Sequence, residues 1–462
     1  MTELLRTVSP VDGRILVERP LATDAEIATL LAQARAATAL WREVSLSERM
    51  RRLSAFVDAF VAHRDEIALE ITWQMGRPVA DSPAEVGGFE ERARHMIGIA
   101  EEALADILPA ATEGFTRFIR REPLGVVLAI APWNYPYLTA VNSIVPAILA
   151  GNAVILRHSA QTPLCAERLA DAFREAGLPD GVFQILQCGH EATARMIQAP
   201  EVDFVAFTGS VDGGRAVQRA ASERFIGTGL ELGGKDPAYV RADADLEHAV
   251  ENLVDGAFFN AGQSCCGIER IYVADACFDA FVGAYGSLVA RYRLGDPTDP
   301  ETSLGPLVRT SAADLVRDQV QEALAAGARG IVAASNFERD EIGTPYLAPQ
   351  VLVDVTHDMR VMREESFGPV VGIARVAGDE EAIACMNDSD FGLSASVWTR
   401  DEEAALSIGA RVETGTFFMN RCDYLDPGLA WTGVKDSGRG CTLSRIGYEQ
   451  LTRPKSFHLR RI

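Results

Sequence analysis

Basic residues are in short supply. Lys and Arg number 44 against 65 Asp and Glu, a formal net charge of −21, which leaves no broad positive surface for nucleic acid or an anionic membrane. Cysteine is scarce as well. The eight, at 165, 188, 265, 266, 277, 385, 422 and 441, form no C-x-x-C pair and lie near no histidine cluster, so no metal site is expected. So few thiols in 462 residues read as reduced thiols, and the expected compartment is the cytoplasm. The opening MTELLRTVSPVDG has no apolar signal-peptide core. Internal repeats and low-complexity linkers are absent.

One stretch lacks charge altogether. From 124 to 156 there is no Asp, Glu, Lys or Arg, a length that could span a bilayer. Pro132, Pro136, Pro146 and Gly151 interrupt it, and Asn134, Asn142, Ser143 and Asn152 lie within it. Backbone groups left unpaired at those breaks would be costly in lipid. The stretch therefore reads as a buried strand–loop–helix–strand, and no membrane partner is expected.

What is present is globular: 48% apolar and 24% charged residues, on a chain long enough for two or three domains. The first hundred residues read as helices, with capping boxes at Thr23-Asp24-Ala25-Glu26 and Ser45-Leu46-Ser47-Glu48. Residues 116–122 alternate charged and apolar, as a solvent-facing strand does. Strands are then expected at 126–131, 153–156, 182–186, 205–208 and 230–232. Helices should lie between them, one opened by Thr162-Pro163 and closed by Gly177 and Pro179. Such alternation implies parallel pairing through right-handed crossovers, with ligand beyond the carboxyl ends of the strands. Past residue 235 the pattern restarts: a helix over 246–259, a Gly-rich turn, a strand at 270–273, and α/β alternation to about 420. The tail, 453–462, reads as a strand. The fold class is α/β, with a doubly wound parallel-sheet dinucleotide-binding domain and a second α/β domain.

Four segments carry residues suited to chemistry. Asn260-Ala261-Gly262-Gln263-Ser264-Cys265-Cys266 places thiols on a Gly-punctuated turn, where a ligand can reach them, although a free cysteine alone is more often a small buried apolar residue. Leu230-Glu231-Leu232-Gly233-Gly234-Lys235 puts a carboxylate at an apolar strand end. Desolvation there raises its pKa toward a general base's range, unless a neighbouring cation pairs with it. The same run from Gly229 to Lys235 fits G-x-x-x-x-G-K, but Asp236 stands where a phosphate loop needs Ser or Thr, so that reading fails. Pro132-Trp133-Asn134-Tyr135-Pro136 fixes an Asn amide in a stiff loop. Phe207-Thr208-Gly209-Ser210 runs from a strand into a helix whose free amides favour a phosphate.

Together W-N-x-P, F-T-G-S, E-L-G-G-K, G-Q-x-C and E-x-F-G-P (Glu365-Ser366-Phe367-Gly368-Pro369) occur in an order and at spacings that resemble the aldehyde dehydrogenase superfamily, as far as Ser437-Gly438-Arg439-Gly440. The resemblance covers nearly the whole chain. It implies that Cys265, not Cys266, attacks the aldehyde, with the oxyanion held by the Asn134 amide and the Cys265 N–H. Glu231 would activate water on the resulting thioester, favouring free acid over transfer to coenzyme A. NAD or NADP would contact Trp133, Arg157, His158, Ser159, Ala160, Gly209, Ser210, Leu232, Glu365 and Phe367, with the pyrophosphate near Gly209 and Ser210 and the nicotinamide ribose on Glu365. The implied partition is 1–109 with 126–230 as the dinucleotide-binding domain and 231–425 as the catalytic domain. Residues 110–125 with 426–462 would form a β oligomerisation arm, in which 110–125 pairs with the C-terminal strand region across subunits, and with it a homodimer or homotetramer.

Three departures from the family pattern bear on specificity. Arg157-His158-Ser159-Ala160-Gln161-Thr162-Pro163 replaces the usual K-P-x-E-Q-T-P. Losing the Glu removes a repulsion against a 2′-phosphate, which Arg157 and His158 could pair. Ser143 stands where many relatives have Lys. Asn142 stands where semialdehyde-specific relatives often have Arg, leaving another cation such as Arg421 to take that part. Tyr135 and Tyr137 would line an aromatic entrance or belong to the core.

Overall fold

Thr23 accepts the Glu26 amide while the Glu26 carboxylate reaches back to the Thr23 N–H, and this complete capping box opens α1 (Asp24–Trp41). At Ser45 only half the box forms ahead of α2 (Leu46–Val61), because the Glu48 carboxylate goes to Arg51 and Arg52. The computed structural model describes residues 3–462. One expectation for the first hundred residues is overturned. Before α1 the chain forms an antiparallel hairpin of β1 (Leu4–Val8) and β2 (Ile15–Pro20), turned through Pro10 and a left-handed Gly13. Two further helices follow, α3 (Arg64–Met75) and α4 (Pro83–Ala103). Then β3 (Phe115–Pro123) occupies the alternating segment.

The charge-free stretch is β4 (Val126–Ala131), α5 (Pro136–Ala150) and the start of β5 (Ala153–His158). Proline sets the start of α5, and Gly151 at φ 100° ends it. Next come α6 (Pro163–Glu175), β6 (Phe183–Ile185), α7 (His190–Gln198), β7 (Phe204–Thr208), α8 (Val211–Ala221) and β8 (Gly227–Glu231). These strands pair in parallel in the order β8-β7-β4-β5-β6. The chain builds outward from β4 to β6 and then returns to the other side of β4. The crossing point between β4 and β7 is the place where such sheets open a crevice at their carboxyl ends. Both faces are buried: Val127 and Ala129 join one apolar cluster, while Val126, Leu128 and Ile130 join another. Among the described residues no helix is long and apolar enough to cross a membrane.

Only the Leu232–Lys235 segment separates β8 from β9 (Asp236–Val240), the first strand of a second sheet. That sheet adds β10 (Ile268–Ala274), reached through α9 (Leu246–Phe258), then β11 (Arg329–Gly330), β12 (Gln350–Val353) and β13 (Val370–Val376). After the short β14 (Phe391–Gly392) it takes β15 (Ser394–Trp398) and β16 (Thr416–Met419). Its order is β11-β12-β13-β10-β9-β15-β16, parallel except at the β11 edge. Beyond it β17 (Val434–Lys435) pairs with β14, and β18 (Gly438–Arg439) pairs antiparallel with β8, setting Gly438 opposite Glu231. The tail is β19 (Thr452–Arg460), joined to β3 in one unbroken antiparallel register, so the segment expected to pair with the C-terminal strand across subunits pairs with that of its own chain. The fold is α/β throughout, two mainly parallel sheets meeting at the E-L-G-G-K segment, with a two-stranded ribbon at the side.

Candidate active site

After α9 the chain makes a tight turn, Phe259–Gly262, in which Asn260 (φ 53°), Ala261 (φ 56°) and Gly262 (φ 69°) are all left-handed. For the two non-glycine residues this costs roughly 1–2 kcal/mol each, and the surroundings hold it. Arg77 Nε donates to Asn260 Oδ1 at 3.1 Å, and Asn260 Nδ2 donates to the carbonyls of Asn134 (3.2 Å) and Gln263 (3.3 Å). Gln263 Oε1 accepts the Val308 amide at 2.8 Å. At Gly262 a side chain has no room, since a Cβ would lie 2.3 Å from the Gly368 carbonyl oxygen. The turn delivers two neighbouring thiols to different environments. Cys265 is partly exposed on the wall of a cavity of about 250 Å³. Cys266 is buried, and its thiol donates to Asp423 Oδ1 at 2.9 Å. The sulfur of Cys265 beside it and burial push the Cys266 thiol well up, so it stays protonated.

Asn134 sits between β4 and α5, buried, with one Nδ2 proton given to the Gln263 carbonyl at 3.1 Å and the other uncommitted. Its own carbonyl accepts from Arg77, which also pairs with Glu85 at 2.6 Å. The Arg77 and Glu85 side chains are 1% and 0% exposed. The second Glu85 oxygen accepts the Tyr137 and Leu138 amides at 2.9 and 3.0 Å, capping the first turn of α5. One buried ion pair thus ties α4, the W-N-x-P loop and the cysteine turn together.

Glu231 ends β8, level with Thr208 on β7. Its carboxylate accepts from Thr208 Oγ1 at 3.1 Å and from Thr442 Oγ1 at 2.5 Å. Burial raises its pKa above the ordinary carboxylate value, with the two hydroxyls and Arg92 pulling the other way. The desolvated strand-end carboxylate read from the sequence is therefore present, and no cation lies within ion-pair distance of it among the described residues. Cys265 and Glu231 line the same cavity, together with Arg92, Asn142, Thr208 and Trp431.

The expected dinucleotide contacts from the first sheet all stand at strand carboxyl ends: Trp133 after β4, Arg157 to Ala160 at and after β5, Gly209 and Ser210 after β7, and Leu232 after β8. Ser210 is the N-cap of α8, its hydroxyl accepting the Gly213 amide at 3.2 Å. Arg157 has its Nε buried without a partner, and its Nη2 makes only a 3.4 Å bond to the Cys188 carbonyl. A cation with that unused capacity suits an anionic or hydroxyl-bearing nucleotide. Glu365 and Phe367 come from the loop before β13. Glu365 accepts the Gly234 amide at 2.9 Å, and Phe367, at φ 50°, sits edge-on to Trp133 with ring centres 5.7 Å apart. A Cβ at Gly233 would lie 2.4 Å from the Glu365 carboxylate, so only glycine allows that approach. Burial and the neighbouring Glu269 push Glu365 up to about 8. Glu269 in turn accepts the Ser366 and Phe367 amides and pairs with Lys235. The Lys of E-L-G-G-K therefore serves that loop.

Two sequence expectations are corrected by position, for His158 and Arg421, and the two readings left open for the tyrosines are resolved. Successive strand side chains point to opposite faces, so the ring of His158 lies on one buried face of the sheet and Arg157 on the other. His158 is fully buried, joined to the Pro136 carbonyl and Thr162, and burial lowers its pKa to about 4. It is neutral and does not pair a phosphate. Arg421 is exposed and stacked 3.4 Å over Tyr424, outside the cavity wall. Tyr137 belongs to the core, while Tyr135 lines the cavity.

Sequence reasoning missed Arg77, Glu85, Arg92, Thr208, Thr442, Glu269 and Asp423. For two of them a signal existed. Glu85 and Arg92 fall on the same stripe of α4 as Phe89, Ala93 and Met96, all buried, and charged residues on an otherwise apolar helix face mark an internal partner or a ligand.

A family model described as Aldehyde dehydrogenase family matches residues 2–457. A succinate-semialdehyde dehydrogenase [NADP(+)] of Mycobacterium tuberculosis is 36% identical over 454 residues, covering 98% of this chain and 99% of that one. A succinate semialdehyde dehydrogenase [NAD(P)+] of Escherichia coli is 36% identical over 446 residues, covering 96% and 95%. Among solved structures, the succinic semialdehyde dehydrogenase of Streptococcus pyogenes in complex with NADP+ superposes with a TM-score of 0.94 at 30% identity, over 99% of this chain and 100% of that one.

Proposed function

The chain belongs to the aldehyde dehydrogenase family, and we propose that Cys265 is its nucleophile, Asn134 its oxyanion donor and Glu231 its hydrolytic base. It is an oxidoreductase that oxidises an aldehyde to a carboxylic acid with NAD or NADP, through a cysteine thiohemiacetal and thioester. One observation carries the assignment of residues: an accessible thiol and a desolvated, unpaired carboxylate share a single cavity.

The Cys265 thiolate adds to the aldehyde carbon. A C–S bond forms and the carbonyl electron pair moves onto oxygen, which the free Asn134 Nδ2 proton and the Cys265 amide stabilise; such donors are worth about 3 kcal/mol each. When bound, the dinucleotide supplies the acceptor for the hydride that leaves this carbon. The thioester then stands on Cys265 beside Glu231. Ionised Glu231 takes a proton from a water molecule as that water attacks, and collapse of the adduct expels the Cys265 sulfur and releases the acid. Arg157, Ser159, Ala160, Gly209 and Ser210 would hold the adenosine and phosphate end of the cofactor. Trp133, Leu232, Glu365 and Phe367 would hold the nicotinamide end.

The partition proposed is 1–109 with 126–230 for the dinucleotide, 231–425 for catalysis, and 110–125 with 426–462 for assembly. The last includes the β3–β19 ribbon, whose largely exposed β19 suits joining a homodimer or homotetramer. Eight unpaired cysteines accord with work in the cytoplasm. A cavity of about 250 Å³ suits a short aldehyde, the size class of succinate semialdehyde, on which the named relatives act.

The test is Cys265→Ala in the full chain. We expect unchanged thermal unfolding and no aldehyde-dependent NAD(P)H formation across an aldehyde panel run with each dinucleotide. Turnover like that of the unaltered enzyme would refute the assignment.

A further inference from the structure

Arg92 is an anomaly within the cavity. It projects from α4 and is the one basic side chain on a wall that also carries Glu91, Glu231, Asp255 and Asp423. It is 8% exposed, yet no carboxylate lies within ion-pair distance of it among the described residues. Its protein hydrogen bonds use Nη1 alone, donating to the Leu138 carbonyl at 2.7 Å and to Asn142 Oδ1 at 3.3 Å. Nε and Nη2 are left over. Three of the acidic neighbours are engaged elsewhere: Glu231 with two threonines, Asp423 with Ser264 and Cys266, Glu91 with the Tyr424 hydroxyl. A buried, unpaired guanidinium is costly to maintain, and its fork of donors matches a carboxylate.

A second donor sits beside it. Asn142 Nδ2 is buried with no partner, while its Oδ1 is fixed by Arg92. Turning the amide over would set its NH₂ against the guanidinium, so this orientation is the one the site supports. Both residues line the cavity that holds Cys265 and Glu231.

Resting on the proposed roles of Cys265 and Glu231, we propose that Arg92, assisted by Asn142, anchors a carboxylate at the far end of the substrate. The enzyme's preferred substrates are then short aldehydes with a terminal carboxylate. A monoanion is favoured over a phosphate because of the four carboxylates already on the wall. The cation reaches the site from α4, where the family resemblance places a semialdehyde-binding Arg at position 142 on α5.

The experiment compares succinate semialdehyde with butanal, its uncharged counterpart, and with glyceraldehyde 3-phosphate, using purified full-length enzyme with saturating dinucleotide. The unaltered enzyme should prefer succinate semialdehyde by kcat/KM. Arg92→Leu should cut that preference over butanal by about 100-fold, about 2.7 kcal/mol at 1.36 kcal/mol per tenfold, mainly through KM. Arg92→Lys should restore part of it, and Asn142→Ala should reduce it about tenfold. A parallel fall of both aldehydes with a shifted pH–rate profile would make Arg92 a stabiliser of the Cys265 thiolate and overturn the proposal. Equal use of butanal and succinate semialdehyde by the unaltered enzyme, or a preference for the phosphate, would overturn the substrate class while leaving the roles of Cys265 and Glu231 standing. Failure on every aldehyde would instead defeat those roles.

Discussion

Replacing Glu231 by Gln isolates the second half of the reaction. The substitution keeps the volume, and the amide oxygen can still accept from either Thr208 or Thr442, although not through both former oxygens. What is lost is the proposed base. A positioned general base contributes about 10²- to 10⁴-fold, or roughly 3–5 kcal/mol at 1.36 kcal/mol per tenfold. The loss falls on thioester hydrolysis, because oxidation of the thiohemiacetal comes first. Rapid mixing of Glu231→Gln with saturating dinucleotide and aldehyde should therefore give a burst approaching one NAD(P)H per subunit, then a steady rate at least about 100-fold below that of the unaltered enzyme. The pH dependence carries the same information. The folded carboxyl is raised above its ordinary 4.5 by burial, and only its ionised form can take a proton. Hydrolysis should thus decline as pH falls through that raised value, and the variant should lack this limb. Disappearance of the burst itself would show that Glu231 is needed before the thioester forms, and a steady rate within about threefold of the original would show that it is not the base. Either result refutes the reasoning.

Arg77→Met should lower thermal stability by about 3–5 kcal/mol, since it leaves Glu85 charged and alone in the interior; adding Glu85→Leu should recover part of this, and a purely additive pair would show no coupling. Asp423 is pushed up to about 6 by burial against 3.8 for an ordinary carboxyl. The folded protein therefore holds this proton more tightly, and stability attached to the group is present below about pH 4 and lost as pH rises through 6. Asp423→Asn should stabilise the fold at pH 8 by at most about 3 kcal/mol, seen as a raised melting temperature, and leave it unchanged near pH 4, with differential scanning fluorimetry as the readout; a gain of equal size at both pH values would count against a titrating Asp423.

Elements bounded by strong punctuation were legible. Pro136 and Gly151 bracket α5, Thr162-Pro163 opens α6, and the runs expected as strands from 126 to 232 appear as β4 to β8 with ends shifted by a few residues. The β1–β2 hairpin was not, because its pairing depends on a partner strand and its five- and six-residue runs are short beside the strong helix signals that follow. The site divides the same way. Cys265, Glu231, Asn134 and Glu365 lie in contiguous patterns that can be read locally. Arg77 matters because of what tertiary packing sets against it, and nothing adjacent in the chain shows that, whereas Arg92 left only the trace of a charge on the apolar stripe of α4. His158 misled for the opposite reason: adjacency to Arg157 suggests a shared ligand, whereas the pleat sends the two side chains to opposite faces.

The internal bracket formed by Arg77 and Glu85 has a consequence for how this protein can be recombined. Residues 77, 85, 134 and 260 come from four separate stretches yet behave as one joint, so the seat of the Cys265 sulfur is specified largely by the amino-terminal helices. A hybrid that grafts residues 231–425 onto a foreign amino-terminal half inherits the thiol without its mounting. Such a graft keeps its alignment only when all four positions travel together.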